Sequence, residues 1–157
     1  MKTGFRILTI VGVLIFFFTN SQAQGERGKF GFGVSDIAGT GQSNFVLTGR
    51  YWVQNEMAFD AGFGLHANSQ DVFVLSGGLI KTISGGDKVY PYFGGKLDIL
   101  FLDAPLDDVV SLGGVFGAEY FVIKRFSILG ESQFVIDIDG GTTVRTQATL
   151  SVLFYLN

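Results

Sequence analysis

Apolar side chains recur at every second position along most of this chain. In RYWVQNEMAFDAGFGLHA, residues 50–67, apolar positions alternate with charged or small ones on both sides of QNE. A period of two places successive side chains on opposite faces of a β-strand. The stretch therefore predicts two strands joined by a tight turn, with Phe59 and Phe63 on one face and Arg50 and Asp60 on the other.

The same period recurs in eight segments, and no helical periodicity interrupts them. The predicted strands are 29–37, 45–53, 57–67, 72–83, 88–102, 109–122, 126–137 and 142–156. The connections are too short for parallel crossovers, which need about a dozen residues or more, so sequential strands must pair antiparallel. Pro91 cannot donate to a strand ladder and is interpreted as marking a strand start near a rim. The fold class predicted is all-β, an eight-stranded antiparallel up-and-down barrel.

The two faces of these strands differ in chemistry. One face is apolar, aromatic and long, whereas the other carries nearly all of the charges that lie within strands, among Gly, Ser and Thr. A soluble lipid-binding barrel would turn the apolar face inward, and a transmembrane barrel would turn it outward to lipid. The aromatic face is too bulky for the interior of eight strands, whose width only just admits side chains. The pattern therefore favours a transmembrane β-barrel, with the soluble periplasmic carrier as an alternative.

This orientation makes two predictions about specific side chains. Charges in a narrow lumen must pair, because an unpaired buried charge is very costly. The predicted lumen charge network is Arg50, Asp60, His66, Lys96, Asp98, Glu119, Glu131 and Arg145. Aromatic residues near strand ends are typical of the girdles at membrane interfaces. The predicted interfacial aromatic residues are Tyr51, Trp52, Tyr90, Tyr92, Tyr120 and Tyr155.

The amino terminus has the three-part layout of a cleaved secretory signal. Lys2 and Arg6 precede the apolar run 7–18, and Ser21 and Ala23 fit a small-x-small cleavage site. The run is shorter than the roughly 20 residues of a spanning helix. We therefore expect residues 1–23 to be a signal peptide and residues 24–157 to form one barrel domain.

Composition narrows the classes of partner and cofactor. Loss of residues 1–23 removes Lys2 and Arg6 and no acid, so the formal net charge goes from −3 to −5. An acidic chain without a basic patch is not expected to bind nucleic acid. The absence of cysteine excludes disulfides, thiolate metal sites and a lipid-modified amino terminus. No metal or other cofactor is expected.

Three segments carry a resemblance to a known family: GRYWVQNEMAFDAGFGLH, YPYFGGKLDI and GVFGAEYFVIKRFSILGESQF. They resemble the small outer-membrane β-barrels, a family that includes outer-membrane protein X and the membrane domain of outer-membrane protein A. The resemblance covers the predicted mature chain. It implies a monomer exported to the bacterial outer membrane, with outer-membrane lipid, lipopolysaccharide and the barrel-assembly machinery as partners. It also implies a salt-bridge network inside the barrel.

The functional prediction is a structural or membrane-integrity protein with a polar, plugged lumen. The alternative is a narrow, porin-like channel for ions or small solutes that uses the lumen charges. No catalytic activity is expected, because the one histidine, His66, lacks the His-x-Ser spacing of the lipid A deacylases that use this scaffold. The predicted outer loop with Asp103, Asp107 and Asp108 is acidic, and we interpret it as a solvated loop.

Overall fold

The computed structural model describes residues 27–38, 44–68, 70–83, 88–102, 108–138 and 142–156. The predicted signal peptide, 1–23, lies outside these residues, as do Asp103 and Asp107. Among the residues described, no helix is both long and apolar enough to cross a membrane.

Eight antiparallel strands close into one barrel, in which each strand pairs with its neighbours in sequence and β1 pairs with β8. The all-β fold class predicted from the sequence is confirmed. The strands are β1 (Phe30–Ala38), β2 (Asn44–Trp52), β3 (Met57–Asn68), β4 (Gln70–Thr82), β5 (Val89–Leu102), β6 (Val109–Ile123), β7 (Phe126–Ile138) and β8 (Thr142–Leu156). Closure pairs every strand on both sides, so the barrel has no free edge.

The alternation in the sequence places one set of side chains inside the barrel and the other set outside. On β6, Val115 is 4 % exposed whereas the adjacent Phe116 is 61 % exposed, and on β7 Val135 is 1 % exposed whereas Phe134 is 68 % exposed. Phenylalanine is thus the exposed partner of each pair. The apolar face points outward, and the reversed arrangement expected of a soluble lipid carrier is wrong for this barrel.

Strand alternation assigns the charged residues Asp36 and Lys81 to the outer face, and both lie near strand ends. Asp36 follows Phe32 and Val34 on β1, opposite Phe45 of β2. Lys81 follows Leu79 on β4, opposite Met57 of β3, and its side chain is buried. Both positions flank the central apolar part of the outer face rather than interrupt it.

Two inward glycines make room for large rings in the interior. A Cβ on Gly31 would lie 2.7 Å from a ring carbon of Tyr155, and one on Gly117 would lie 3.0 Å from the ring of Tyr92. Both distances are shorter than ordinary van der Waals contact. The absence of a side chain at these positions therefore allows two tyrosines to fill the lumen.

Pro91 lies two residues inside β5, where it pairs with Ala118 of β6. The ladder between β4 and β5 begins one residue later, at Thr82 and Tyr92. The carbonyl of Pro91 accepts a hydrogen bond of 2.7 Å from the backbone N–H of Ile83. The proline thus sits at the rim, where the reciprocal bond to Ile83 that its missing N–H would make lies just beyond the end of the β4–β5 ladder.

Candidate functional site: the barrel lumen

Arg50 of β2 lies at the centre of the lumen, and its side chain is almost fully buried. Its register partner on β3 is Asp60. Nε and Nη2 of Arg50 donate to the two carboxylate oxygens of Asp60 over 2.7 and 2.8 Å. This two-point geometry is the strongest form of a carboxylate–guanidinium contact. It forms because the short β2–β3 turn sets the two residues directly opposite each other.

Glu119 of β6 is the second acid on Arg50. Nη1 of Arg50 donates to Oε2 of Glu119 over 3.0 Å. The other oxygen, Oε1, accepts from Oγ of Ser127 over 2.6 Å and from the hydroxyl of Tyr155 over 2.7 Å. Each oxygen of this fully buried carboxylate therefore has a donor, which is the condition for keeping a charge out of water.

Glu131 of β7 joins Arg50 to Lys96 of β5. Its carboxylate accepts from the hydroxyl of Tyr92 over 2.7 Å, from Nε2 of Gln133 over 3.0 Å and from Nζ of Lys96. Nη2 of Arg50 lies 3.5 Å from the same group. The guanidinium carbon of Arg50 also lies 4.6 Å from the centre of the Tyr92 ring, a cation–π distance. Two cations and three carboxylates thus form one connected cluster.

A second polar layer continues from this cluster toward the end of the barrel away from the chain termini. Nε2 of Gln147 donates to Oε1 of Gln133 over 2.7 Å, and Arg145 donates to Oε1 of Gln147. Arg145 also contacts both oxygens of Asp137, at 2.8 and 3.2 Å. Oγ of Ser111 donates to Asp137 over 2.5 Å. The hydrogen-bonded chain therefore runs from Glu119 to Ser111 without a break.

An apolar floor closes the lumen at the end that carries the termini. Its ring-bearing members are Trp52, Tyr92 and Tyr155, and Phe121 packs against them. The remaining buried members are Ala58, Ile80, Val115, Leu129 and Leu153. The floor lies directly beneath the Arg50 cluster, since the two tyrosines belong to both.

One cavity beside the Arg50 cluster lies within the described part of the barrel. A cavity of about 20 Å³ is lined by residues that include Ser35, Thr48, Lys96 and Ser151. A cavity needs roughly 10–15 Å³ to hold one water molecule. This cavity therefore holds about one water and is too small for a solute.

The structure brings five of the predicted network residues together in the cluster: Arg50, Asp60, Lys96, Glu119 and Glu131. Arg145 joins it through Gln147 and Gln133. Asp98 is half-buried and is aligned with Ser111 in the β5–β6 register. The backbone of His66 pairs with that of Val72, and its side chain lies outside the described part of the structure.

The prediction of interfacial aromatic residues is wrong for three side chains. Trp52 is 2 % exposed, Tyr92 0 % and Tyr155 1 %, so none of them reaches a membrane interface. Strand alternation turns all three side chains inward, and their rings form the floor of the lumen. Tyr90 is half-buried and packs edge-on against Phe121 at 5.4 Å. Tyr51 and Tyr120 are exposed on the outer face, and their interfacial role stays a prediction.

Sequence reasoning missed the neutral members of the network, namely Tyr92, Ser127, Gln133, Gln147 and Tyr155 as hydrogen-bond partners of the charges. A usable signal was present for the two tyrosines. Tyr92 lies four residues before Lys96 on β5, and Tyr155 lies four residues after Ser151 on β8. An even spacing on a strand places each tyrosine on the same face as its polar neighbour.

Comparison with solved structures identifies the fold. The N-terminal β-barrel domain of Pseudomonas aeruginosa OprF matches with a TM-score of 0.69 at 11% identity, over 83% of this chain and 98% of that one. A de novo designed transmembrane β-barrel matches with a TM-score of 0.58 at 13% identity, over 85% and 99%. The Neisserial surface protein NspA matches with a TM-score of 0.53 at 16% identity, over 80% and 94%.

No protein-family model matches the chain, and neither does any curated protein sequence. The structural matches share the number of strands, the closure and the antiparallel order described above. The resemblance predicted from the sequence is therefore confirmed at the level of the fold: the chain has the fold of the small eight-stranded outer-membrane β-barrels.

Proposed function

We propose that this protein is an integral barrel of the bacterial outer membrane with a plugged lumen, and that it supports the integrity of that membrane rather than transport. The outward apolar face fits a hydrocarbon environment, in which a closed barrel satisfies every backbone polar group. The predicted signal peptide, cleaved after Ala23, would direct export. Outer-membrane lipid and the assembly machinery are the partners that this location implies.

The observation that carries the proposal is the filling of the lumen around Arg50. The guanidinium holds three carboxylates, an aromatic floor lies beneath it, and the cavity beside it holds about one water. A solute would have to displace several charge-assisted hydrogen bonds at once, each roughly twice as strong as a neutral one. Such an interior supports the barrel wall and does not leave a path through it.

The location is tested by fractionating cells that make the full chain with a C-terminal tag. We expect the protein in the detergent-insoluble outer-membrane fraction, with an electrophoretic mobility that changes on boiling, as for a folded barrel. Mass measurement of the purified protein shows whether residues 1–23 have been removed. Recovery in the soluble periplasmic fraction with no change of mobility would contradict a membrane barrel.

The integrity role is tested by deleting the gene and measuring leakage of a periplasmic enzyme and uptake of a large antibiotic. We expect both to rise in the deletion strain and to be restored equally by the wild-type chain and by Glu131→Gln. Glutamine preserves the shape of the plug but removes a lumen charge. Restoration by the wild type alone, with the variant folded in the membrane, would favour a role for the lumen charges in transport.

The second candidate function is a narrow ion channel. The observation that favours it is that ion pairs, not apolar side chains, fill the middle of the lumen, and that the side chain of Lys96 keeps 16 % of its surface exposed. Single-channel recording in planar bilayers distinguishes the plugged barrel from the channel. The proteins recorded are the wild type, Arg50→Ala and Glu131→Ala. A plugged barrel predicts a silent wild type, whereas a channel predicts discrete wild-type openings that both variants change.

A further inference from the structure

Charged residues outside the lumen are divided between the two ends of the barrel. Exposed cations occur at the end that carries the termini: Arg27 precedes β1, Lys88 precedes β5, and Lys124 and Arg125 form the β6–β7 turn. We call these four residues the basic rim. Among the residues described, the opposite end carries Asp36, Asp71 and Asp108, and its nearby cation, Arg145, pairs with Asp137 inside the lumen.

The basic rim follows one arc of the barrel mouth. The carbonyl of Lys88 accepts a hydrogen bond from the backbone N–H of Phe121 over 2.8 Å, and that of Arg125 accepts from the N–H of Tyr155 over 2.8 Å. These bonds fix the backbone of both residues to the neighbouring strands. The arc thus runs from β5 through the β6–β7 turn and past β8 to the start of β1.

An exposed apolar belt adjoins this arc on the outer face. Tyr120, Val122 and Ile123 are exposed just before Lys124, and Phe30 and Leu156 are exposed beside the start of β1. The cations therefore lie where the apolar wall ends. This is the level at which a lipid whose acyl chains cover the wall would place its phosphate.

Among the described residues, the acid at this end outside the lumen is Glu56 of the β2–β3 turn, and the backbone N–H of Arg27 donates to Oδ1 of the adjacent Asn55 over 3.3 Å. Glu26 and Asp87, which precede Arg27 and Lys88 in sequence, lie outside the described residues. The immediate sequence neighbours of Lys124 and Arg125 are Ile123 and Phe126. These two cations are therefore the most direct place to test the rim.

We propose that the basic rim binds the phosphate headgroups of anionic phospholipids in the leaflet at the terminal end of the barrel. A guanidinium such as that of Arg125 can contact a phosphate through two parallel N–H donors, and lysine supplies a compact charge beside it. The adjoining belt fits the acyl chains of the same lipid. A periplasmic polymer would use the charges but not the belt, so the apolar surface favours a lipid.

The test measures which lipids surround the barrel. The full chain is folded into phosphatidylcholine vesicles, and the relative association of spin-labelled phosphatidylglycerol over spin-labelled phosphatidylcholine is measured by electron paramagnetic resonance. Basic residues attract anionic headgroups, and salt screens this attraction. We expect Lys124→Gln/Arg125→Gln to lose most of the wild-type preference, and added salt to lower that of the wild type.

The matched control is Asn44→Asp/Thr142→Asp, which lowers the net charge by the same two units at the opposite end. It should lower the preference less than the rim variant does, because it removes no cation that attracts the phosphate. An equal fall in both variants would mean that only net charge matters, and no fall in Lys124→Gln/Arg125→Gln would mean that the rim does not select lipids. Binding of purified sacculi that is lost in the rim variant, with unchanged lipid preference, would reassign the rim to a periplasmic polymer.

The lipid proposal rests on membrane insertion, which belongs to the proposed function. The two fail in different ways. A barrel that shows no heat-dependent mobility in vesicles has not inserted, and the proposed function fails. A barrel that inserts but does not distinguish the two lipids overturns the basic-rim proposal alone.

Discussion

At the scale of single residues, Arg50 holds the interior together. Its guanidinium is the shared partner of Asp60, Glu119 and Glu131. Removing one partner of a buried ion pair costs about 3–5 kcal/mol, because the other is left without compensation. We therefore expect Arg50→Met to lower the free energy of unfolding by about that amount, measured by urea titration in phosphatidylcholine vesicles with heat-dependent mobility as the readout.

The control for that prediction is Asp60→Asn, which keeps an oxygen acceptor in the same place and leaves Arg50 with Glu119 and Glu131. Its loss of stability should be clearly smaller. Equal losses in the two variants would indicate that the cluster is hydrated and that Arg50 has no special position in it.

Some contacts of single residues could be predicted from the sequence. Strand parity placed Arg50 and Asp60 on one face, and the short turn placed them opposite each other, so their pairing was predictable. Trp52 has the same parity as Arg50, yet its position near a strand end suggested a membrane interface. Alternation along the strand predicts the position of Trp52 better than its place near a strand end does. Backbone geometry fixes which face of the strand a side chain occupies, whereas a strand end has both an inward and an outward face.

At the scale of elements, the inward glycines of β6 determine how the floor packs. A Cβ at Gly117 would lie 2.6 Å from the carbonyl oxygen of Gly130 and 3.0 Å from the Tyr92 ring. Overpacking of this kind costs typically about 1–3 kcal/mol, so we expect Gly117→Ala to reduce the free energy of unfolding by that amount. Gly114→Ala on the same strand is the matched control, since its Cβ would meet nothing within 4 Å. A loss as large in Gly114→Ala would show that strand flexibility, not ring packing, explains the effect.

The eight strands themselves were predictable because alternation marks each one and short turns separate them. The predicted bounds 142–156 match β8, and the predicted 72–83 differs from β4, Gln70–Thr82, by two residues at its start. The side-chain hydrogen bonds between strands that are distant in sequence, such as Arg50 to Glu119 and Glu131 to Lys96, were not predictable in detail. These bonds depend on barrel closure and on how far each strand is shifted along the barrel axis. The alternation within one strand specifies neither.

At the scale of the whole molecule, the barrel has a polar interior and an apolar exterior, the reverse of a soluble protein. In water the exposed phenylalanines would be an aggregation surface. In a bilayer they replace lipid–lipid contacts, and the charges are confined to the lumen and to the two ends. The effect of an outer-face substitution on the free energy of unfolding should therefore depend on the depth of that residue in the membrane.

Phe116 and Ile123 test this dependence, because both belong to β6 and have nearly equal exposure, 61 % and 62 %. Phe116 lies at the middle of the strand, and Ile123 at its end beside the basic rim. Arginine on the lipid face costs about 2–4 kcal/mol at the membrane midplane and about 0–1 near the interface. We expect Phe116→Arg to reduce the free energy of unfolding in vesicles by the larger amount and Ile123→Arg by the smaller. Two small and equal effects would mean that the outer face meets water, since arginine at an exposed site in water carries no cost that depends on its height along the strand.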